Sequence, residues 1–297
     1  MNKPNNNQNV SQRAVKIAAI IVVAAVAVFV IVRAVMGIVW IVRHADNSTL
    51  DFEEIAVFRS EDIGGSVRIV HLSDLHFPRL SVCIDELVEG IGAANPHIIA
   101  ITGDIIDTRT ELWTSGVLEF VERIVAIAPV YYVSGNHELA NPNTVELFEG
   151  LVSRGVIMLD NEHRVKDIDG IAVTVIGISD NAHYTYDAYN KEDISDSLVI
   201  LLAHRPNNRT WNSATNNPYV VAPDLILAGH IHGGQIRIWG RGLLCPDTLL
   251  LPRFSSGLYE SGNDRGSRMV VSRGIGNSIV PIRINSLPHV PVITVWV

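Results

Sequence analysis

The first apolar feature of the chain is long and almost uninterrupted. No polar residue occurs from Ile17 to Val32, Arg33 then interrupts the run, and Ala34 to Val42 is apolar again. About 20 helical residues cross the hydrocarbon core of a bilayer, and the two runs together exceed that length. We therefore predict an N-terminal tail at residues 1–16, a transmembrane anchor at 17–42 and a linker at 43–50.

Two alternatives to a transmembrane anchor fit this segment less well. A buried core helix is disfavoured because the segment has almost no polar residues, and solvent-facing helices carry a polar face. A cleaved signal peptide fits the basic residues Arg13 and Lys16, but the apolar stretch is long and no small-x-small site follows it. More basic residues precede the span than follow it, which favours a cytoplasmic amino terminus. We expect a single-pass protein of the cell membrane with an extracytoplasmic domain.

Beyond the linker, apolar runs typical of strands alternate with amphipathic stretches typical of helices. Such alternation favours parallel strands joined by helical crossovers. An outer strand is predicted at 51–59. The strand-and-helix pairs are 66–74 with 80–95, 97–104 with 111–128, and 130–138 with 142–155.

The second half of the chain is richer in strands. Asp169-Gly170 between two of them is typical of a hairpin turn. The predicted fold class is α/β, with two packed mixed β-sheets flanked by helices, in one domain at 51–297. The remaining predicted strands are 156–160, 163–170, 171–179, 198–206, 224–232, 234–240, 267–274 and 291–297.

Charge and cysteine content exclude two classes of protein. The formal net charge is −8, from 23 basic and 31 acidic residues, which argues against a nucleic-acid-binding surface because such surfaces need clustered Lys and Arg. Two cysteines, Cys83 and Cys245, are too few for a disulfide framework, although one bridge stays open.

The residues with ligand chemistry follow the predicted strands. In parallel α/β sheets the carboxyl ends of the strands line the ligand crevice, so these side chains are expected to converge. Within an extended segment, residues two apart point the same way, which pairs Asp74 with His76 and His230 with His232. The full set is Asp74, His76, Asp104, Asp107, Asn136, His137, His204, His230 and His232. Carboxylate and amide oxygens mixed with imidazoles suit Mn, Fe or Zn better than Ca or Mg.

These motifs occur in the order Asp-x-His, Gly-Asp-x-x-Asp, Gly-Asn-His-Glu, a lone His and Gly-His-x-His. In that order they resemble the calcineurin-like metallophosphoesterases, in particular bacterial membrane-associated or exported members. The resemblance implies a metallophosphoesterase-like β-sandwich with a two-metal centre. One ion would be held by Asp74, His76 and His232, the other by Asn136, His204 and His230, with Asp104 bridging both. The resemblance also implies that His137 protonates the leaving oxygen or stabilises phosphoryl charge, and that Asp107 orients His137.

Several polar residues are weaker candidates. Arg109 and Arg205 are candidates for substrate binding because they lie near the motifs. Glu138 is left open between a supporting contact in the site and the exposed edge of the next helix. His71 and His97 are expected to be packed or surface groups. The acidic, tyrosine-containing segment 180–196 fits a solvated surface excursion better than a substrate-facing lid.

The function expected from these features is that of a membrane-anchored, two-metal phosphoester hydrolase. Phosphodiesters are favoured over monoesters, with hydroxide between the ions attacking phosphorus in line. The phosphoester substrate is expected to be lipid-linked or part of the cell envelope. Two alternatives are kept: a lipid-precursor pyrophosphate hydrolase at the inner membrane face, and a non-catalytic metal-binding module.

Overall fold

A computed structural model describes residues 6–59, 64–180, 194, 196–207, 210–212, 222–245, 249–263, 265–277 and 282–297. The chain divides into two compact units, Met1–Ala45 and Asp46–Val297. Most of the acidic segment 180–196, considered above as a lid or a surface excursion, lies outside the described residues.

The first unit is a single long helix, α1 (Asn6–His44). Its stretch Val15–His44 has a mean hydropathy of 3.1 and none of it is buried, which makes it a candidate membrane span by length and composition. The helix is not a buried core helix. It extends beyond the predicted span at both ends, since no proline follows Pro4 until Pro78 and proline is the strongest helix breaker.

The second unit contains two main β-sheets, as predicted, and each has six strands. The first has the order β1-β16-β2-β3-β4-β5, and its strands from β2 to β5 are parallel. The predicted outer strand β1 is indeed at the edge. The bounds are β1 Asp51–Phe58, β2 Ser66–Leu72, β3 Ile98–Thr102, β4 Val130–Val133, β5 Ile157–Met158 and β16 His289–Trp296.

The second sheet has the order β14-β15-β9-β8-β7-β6, with parallel pairing from β15 through β7. Strands β6 and β7 form the predicted hairpin, in which Asp169 and Gly170 have φ values of 52° and 85°. The bounds are β6 His163–Ile168, β7 Ile171–Ile178, β8 Leu198–Ala203, β9 Leu225–Ala228, β14 Gly257–Glu260 and β15 Arg268–Val271.

The two sheets pack against each other through apolar side chains. Val133 of β4, Val175 of β7 and Leu202 of β8 are all buried in this central layer. Helices cover the other face of the first sheet. Their bounds are α2 Ile84–Ala93, α3 Leu112–Ser115, α4 Val117–Val125, α5 Asn136–Ala140 and α6 Thr144–Ser153.

Some local predictions were wrong. The stretch 111–128 forms two helices rather than one because Gly116 adopts φ 78°, a left-handed conformation that ends α3. Segment 234–240 contributes only β10 (Arg237–Ile238), which pairs with β11 (Arg241–Gly242) in a small hairpin. A second hairpin of β12 (Leu244–Cys245) and β13 (Leu249–Leu250) was not predicted.

The two cysteines do not form the disulfide bridge that the sequence left open. Cys83 is exposed and Cys245 is buried, and both are free thiols.

Candidate metal centre

The candidate ligands lie just beyond the carboxyl ends of the strands. Asp74, Asp104 and His230 follow β2, β3 and β9, with φ values of 52°, 52° and 69°, and His76 and His232 have φ values of 54° and 51°. Five non-glycine residues in the left-handed region at one place mark a site whose surroundings hold a strained backbone. The predicted extended alternation of Asp74 with His76 and of His230 with His232 was therefore wrong. Tight turns, not strand pleats, orient these side chains.

One group of donors consists of Asp74, His76 and His232. The two Nε2 atoms are 3.1 Å apart, and His232 Nε2 is 3.6 Å from Asp74 Oδ1. Burial lowers the pKa of both histidines, and a neighbouring imidazole lowers each further, His137 acting on His76 and His76 on His232. Both imidazoles are thus held in the neutral form, which is the form that binds metal ions.

A second group forms around His204. Its Nε2 atom is 3.1 Å from His230 Nδ1, 3.2 Å from Asn136 Oδ1 and 3.3 Å from Asp104 Oδ2. His204 Nδ1 donates to the carbonyl of Thr102 at 2.7 Å, which leaves Nε2 as the ligand atom. Burial alone would lower the pKa of His204, but Asp104 raises it to about 10. This position therefore favours positive charge.

Asp104 lies between the two groups. Its Oδ2 atom is 3.9 Å from His76 Nε2 in the first group and 3.3 Å from His204 Nε2 in the second. Burial alone would raise the pKa of Asp104, but His204 and the other imidazoles lower it, so the carboxylate stays ionised. Two adjoining sets of oxygen and nitrogen donors that share one carboxylate fit two divalent ions.

His137 lies beside this cluster at the start of α5 and its side chain is 29% exposed. Its backbone N–H donates to Asp104 Oδ1 at 2.8 Å, and its Nδ1 is 3.1 Å from Asp107 Oδ1. Asp107 is also paired with the guanidinium of Arg79. Thr108 contacts the same Nδ1 through its hydroxyl at 3.0 Å. Asp107 Oδ1 can thus accept a hydrogen bond from Nδ1, in which case Nε2 is the ring nitrogen left for the cluster.

Comparison with known proteins is consistent with this geometry. The sequence model of the calcineurin-like phosphoesterase family matches residues 67–234, which span every donor described above. The chain belongs to the calcineurin-like phosphoesterase family. It is therefore a metal-dependent hydrolase of phosphoesters.

Three relatives illustrate how similar known proteins are to this phosphoesterase in sequence. The uncharacterized metallophosphoesterase YkoQ of Bacillus subtilis is 30% identical over 231 residues, covering 75% of this chain and 82% of that protein. A Bos taurus transmembrane protein with metallophosphoesterase domain is 28% identical over 88% of this chain, but only 60% of its own length is matched. The phosphodiesterase YaeI of Escherichia coli is 26% identical over 77% of this chain and 82% of its own length.

Glu138 ties two ligand loops of the phosphoesterase together. It is fully buried, and its carboxylate accepts backbone N–H groups of Asp104 at 2.8 Å, Ile106 at 3.1 Å and Gly135 at 2.7 Å. Burial and the neighbouring Asp104 raise the pKa of Glu138 to about 7. Of the two readings left open by the sequence, the exposed helix edge was wrong.

Two glycines allow these loops to approach. A Cβ at Gly135 would be 2.3 Å from Asp104 Oδ1, and one at Gly103 would be 2.5 Å from the backbone nitrogen of Gly135. Both distances are far below van der Waals contact, so a side chain at Gly135 would displace Asp104 and one at Gly103 would push away the backbone of Gly135. The Gly-Asp and Gly-Asn pairs of the motifs therefore serve close packing of the two strand ends.

The two predicted substrate-binding arginines differ in their positions. Arg205 is brought to the site: it donates to Asn136 Oδ1 at 3.0 Å and to Asp180 at 2.7 Å, and lies 2.8 Å from His230 Nε2. Arg109 is exposed, and no group in the described part of the chain forms a hydrogen bond or ion pair with its side chain.

Sequence reasoning missed two arginines of the site. Arg79 pairs with Asp107, and the fully buried Arg283 donates to the carbonyls of Arg273 and Gly276 while lying 3.5 Å from His232 Nδ1. Neither belongs to a recognisable motif, so no local signal marks them. His71 is packed as expected, with Nε2 2.8 Å from Thr102 Oγ1.

Proposed function

We propose that this phosphoesterase is a membrane-anchored phosphodiesterase that works with two divalent ions. The observation that carries the proposal is the position of Asp104, whose carboxylate faces both donor groups while His137 lies beside it. One ion is assigned to Asp74, His76 and His232, the other to Asn136, His204 and His230, and Asp104 to both. The mixture of imidazole and oxygen donors favours Mn, Fe or Zn. Such ions, when bound, activate water as Lewis acids and neutralise charge on the phosphoryl oxygens.

His137 is the proposed acid that protonates the leaving oxygen. Its partial exposure makes it reachable from solvent, and the Asp107 carboxylate, 3.1 Å from Nδ1, orients the imidazole. A proton on Nε2 then faces the ester oxygen that departs. A positioned general acid of this kind contributes about 10²–10⁴-fold to rate.

Arg205 is the proposed contact for the phosphoryl oxygens of the substrate. Its guanidinium lies next to Asn136 and His230 and is held by Asp180, and a planar guanidinium suits phosphate oxygens. Arg109 is the weaker of the two assignments because it is exposed.

A phosphoester carried by a lipid or by the cell envelope is the proposed substrate, since the domain would be held at a membrane.

The proposed layout has a tail at 1–16, a span at 17–42, a linker at 43–50 and a catalytic domain at 51–297 outside the cytoplasm. The apolar, unburied stretch Val15–His44 supports a span, as does the name of the bovine relative, a transmembrane protein. The name of YaeI, a phosphodiesterase, supports diester hydrolysis. A reporter fused after Val297 tests the orientation. Activity of a cytoplasm-dependent reporter would favour the inner-face pyrophosphate hydrolase instead.

The chemistry is tested with the full chain purified in detergent without chelator. Hydrolysis of bis-p-nitrophenyl phosphate and p-nitrophenyl phosphate is measured with added Mn²⁺, and metal content is measured in the same samples. His137→Ala is expected to abolish most turnover while retaining metal. His97→Ala, a partly exposed histidine that contacts Asp169, serves as the matched control. Bound metal with no turnover above His137→Ala on either ester would favour a non-catalytic metal-binding module.

A further inference from the structure

Two small hairpins that follow His232 expose large apolar side chains. Trp239, at the tip of the hairpin β10–β11, is 98% exposed, and Leu250 and Leu251 on the next hairpin are 59% and 63% exposed. The hairpins are neighbours, because Leu243 N–H donates to the carbonyl of Ile236 and the carbonyl of Leu243 accepts from Leu251 N–H. We call the exposed side chains of Trp239, Arg241, Leu250, Leu251 and Arg253 the hairpin surface.

Neither the backbone conformation nor side-chain packing explains why a tryptophan occupies position 239. Trp239 and Gly240 form a two-residue turn with φ values of 50° and 77°, a conformation that favours Asn, Asp or Gly at its first position. The chain uses Asp169-Gly170 in another such turn, between β6 and β7, with φ values of 52° and 85°. A bulky residue in the left-handed region is an outlier, and an almost fully exposed tryptophan packs against nothing that offsets the backbone cost.

The charge around the exposed apolar residues is basic. Arg241 and Arg253 are exposed and Arg237 is half-buried. From residue 235 to 253 the sequence has these three arginines and one acidic residue, Asp247, which lies outside the described residues. This segment is thus positive in a chain whose net charge is −8. Tryptophan favours the membrane–water interface, and arginines near a bilayer are attracted to anionic lipids.

We propose that the hairpin surface contacts the bilayer in which the chain is anchored, with Trp239 and the leucines in the interface and the arginines on anionic headgroups. The inference rests on the membrane anchoring proposed above. Lipid is the proposed partner of the hairpin surface because aromatic, aliphatic and basic groups are exposed together in a chain that carries a candidate span.

The hairpin surface adjoins the metal centre. Arg237 donates to the carbonyl of Gly233 at 3.1 Å, and a Cβ at Gly234 would be 2.5 Å from the Cα of Gly242. Gly233 directly follows the donor His232. Contact of the hairpins with lipid therefore brings the centre close to phosphoesters at the bilayer surface, which deepens the proposed substrate class to lipid headgroups.

The test uses the full chain in vesicles of phosphatidylcholine with phosphatidylglycerol. Cys83→Ser and Cys245→Ala remove the native thiols, and a bimane probe is attached at Trp239→Cys. The matched control carries the probe at Asp169→Cys, the equivalent position of the other two-residue turn, at the amino end of β7 and thus opposite the strand ends that carry the site. Quenching by headgroup-proximal doxyl lipid is measured for both, and aqueous iodide serves as the complementary quencher.

We expect doxyl lipid to quench the probe at 239 several-fold more than the probe at 169, with iodide showing the reverse order. Equal quenching at both positions, or none at 239, would overturn the contact. A probe at 239 shielded from both quenchers would overturn it in favour of a second copy covering the surface. Loss of the difference in pure phosphatidylcholine is expected if the arginines act on anionic lipid, and an unchanged difference would overturn that role. Hydrolysis of the soluble diester in the same samples reports separately on the proposed chemistry.

Discussion

Glu138 accepts the backbone N–H of Asp104 at 2.8 Å, and the same oxygen accepts the N–H of Gly135 at 2.7 Å. One buried carboxylate thus joins the loop after β3, which supplies the proposed shared ligand Asp104, to the loop after β4, which supplies the proposed ligand Asn136. The distance between these two ligands is fixed by a side chain that faces neither metal group.

Replacement of Glu138 by Gln is expected to weaken the hydrogen bonds that connect these two loops. The amide has one acceptor oxygen, so its NH₂ group must face at least one backbone N–H, and a lost hydrogen bond to a charged group costs about 1.5–3 kcal/mol. We expect a lower free energy of unfolding and about 10–100-fold weaker metal binding, as for other groups that orient ligands. Chelator competition measures the affinity. Glu149→Gln, on the exposed face of α6, is the control, and equal affinity in the two variants would contradict the role of Glu138.

Asp107 and His137 are expected to act as one unit. Asp107→Asn keeps an acceptor 3.1 Å from Nδ1 but removes the charge, so we expect about a 10–100-fold lower kcat. His137→Ala should lower kcat by about 10²–10⁴-fold. The double variant should be no slower than His137→Ala alone, because Asp107 acts through the imidazole. Multiplicative losses in the double variant would show independent roles. Asp85→Asn, in a surface pair with Arg123, controls for removal of a carboxylate.

The metal content of ligand variants should separate the two donor groups. His232→Ala removes a donor of the first group and is expected to leave one ion bound, as is His204→Ala in the second. Asp104→Ala should lose both ions because its carboxylate faces both groups. Elemental analysis of desalted protein gives the stoichiometry. Retention of two ions in Asp104→Ala would rule out sharing of this carboxylate.

Stability is expected to fall in mild acid because of His71. Burial, with a smaller effect of His289, lowers the pKa of His71 to about 3. Below the unfolded-state pKa of 6.5 only the unfolded chain takes up the proton, so stability decreases as pH falls from 6.5 toward 3. The loss is about 1.36 kcal/mol per pH unit, hence about 2 kcal/mol between pH 6.5 and 5. Denaturant unfolding with chelator present measures it. His71→Asn should show a smaller loss over this range, and an identical pH dependence would contradict the assignment.

Much of the fold follows from local patterns. Apolar runs of five to eight residues, such as β3 and β7, are buried on both faces and stand out from amphipathic stretches such as α4. Asp169-Gly170 has the turn chemistry that its conformation needs. The pattern of apolar and polar residues mispredicted the helix at Gly116, where one backbone angle ends it. It also missed strands that are only two residues long, as in the hairpins after His232.

The sequence by itself determined which donor types the candidate site contains and their order along the chain, because they occur in short motifs. Only the tertiary structure decided how these donors face one another. Asp74 meets His232, and Asp104 meets His204, across a hundred or more positions of the chain. Left-handed turns, close glycine contacts and the buried Glu138 set those distances. Arg79 and Arg283 join the site because the fold brings distant loops together, and no local pattern encodes those contacts.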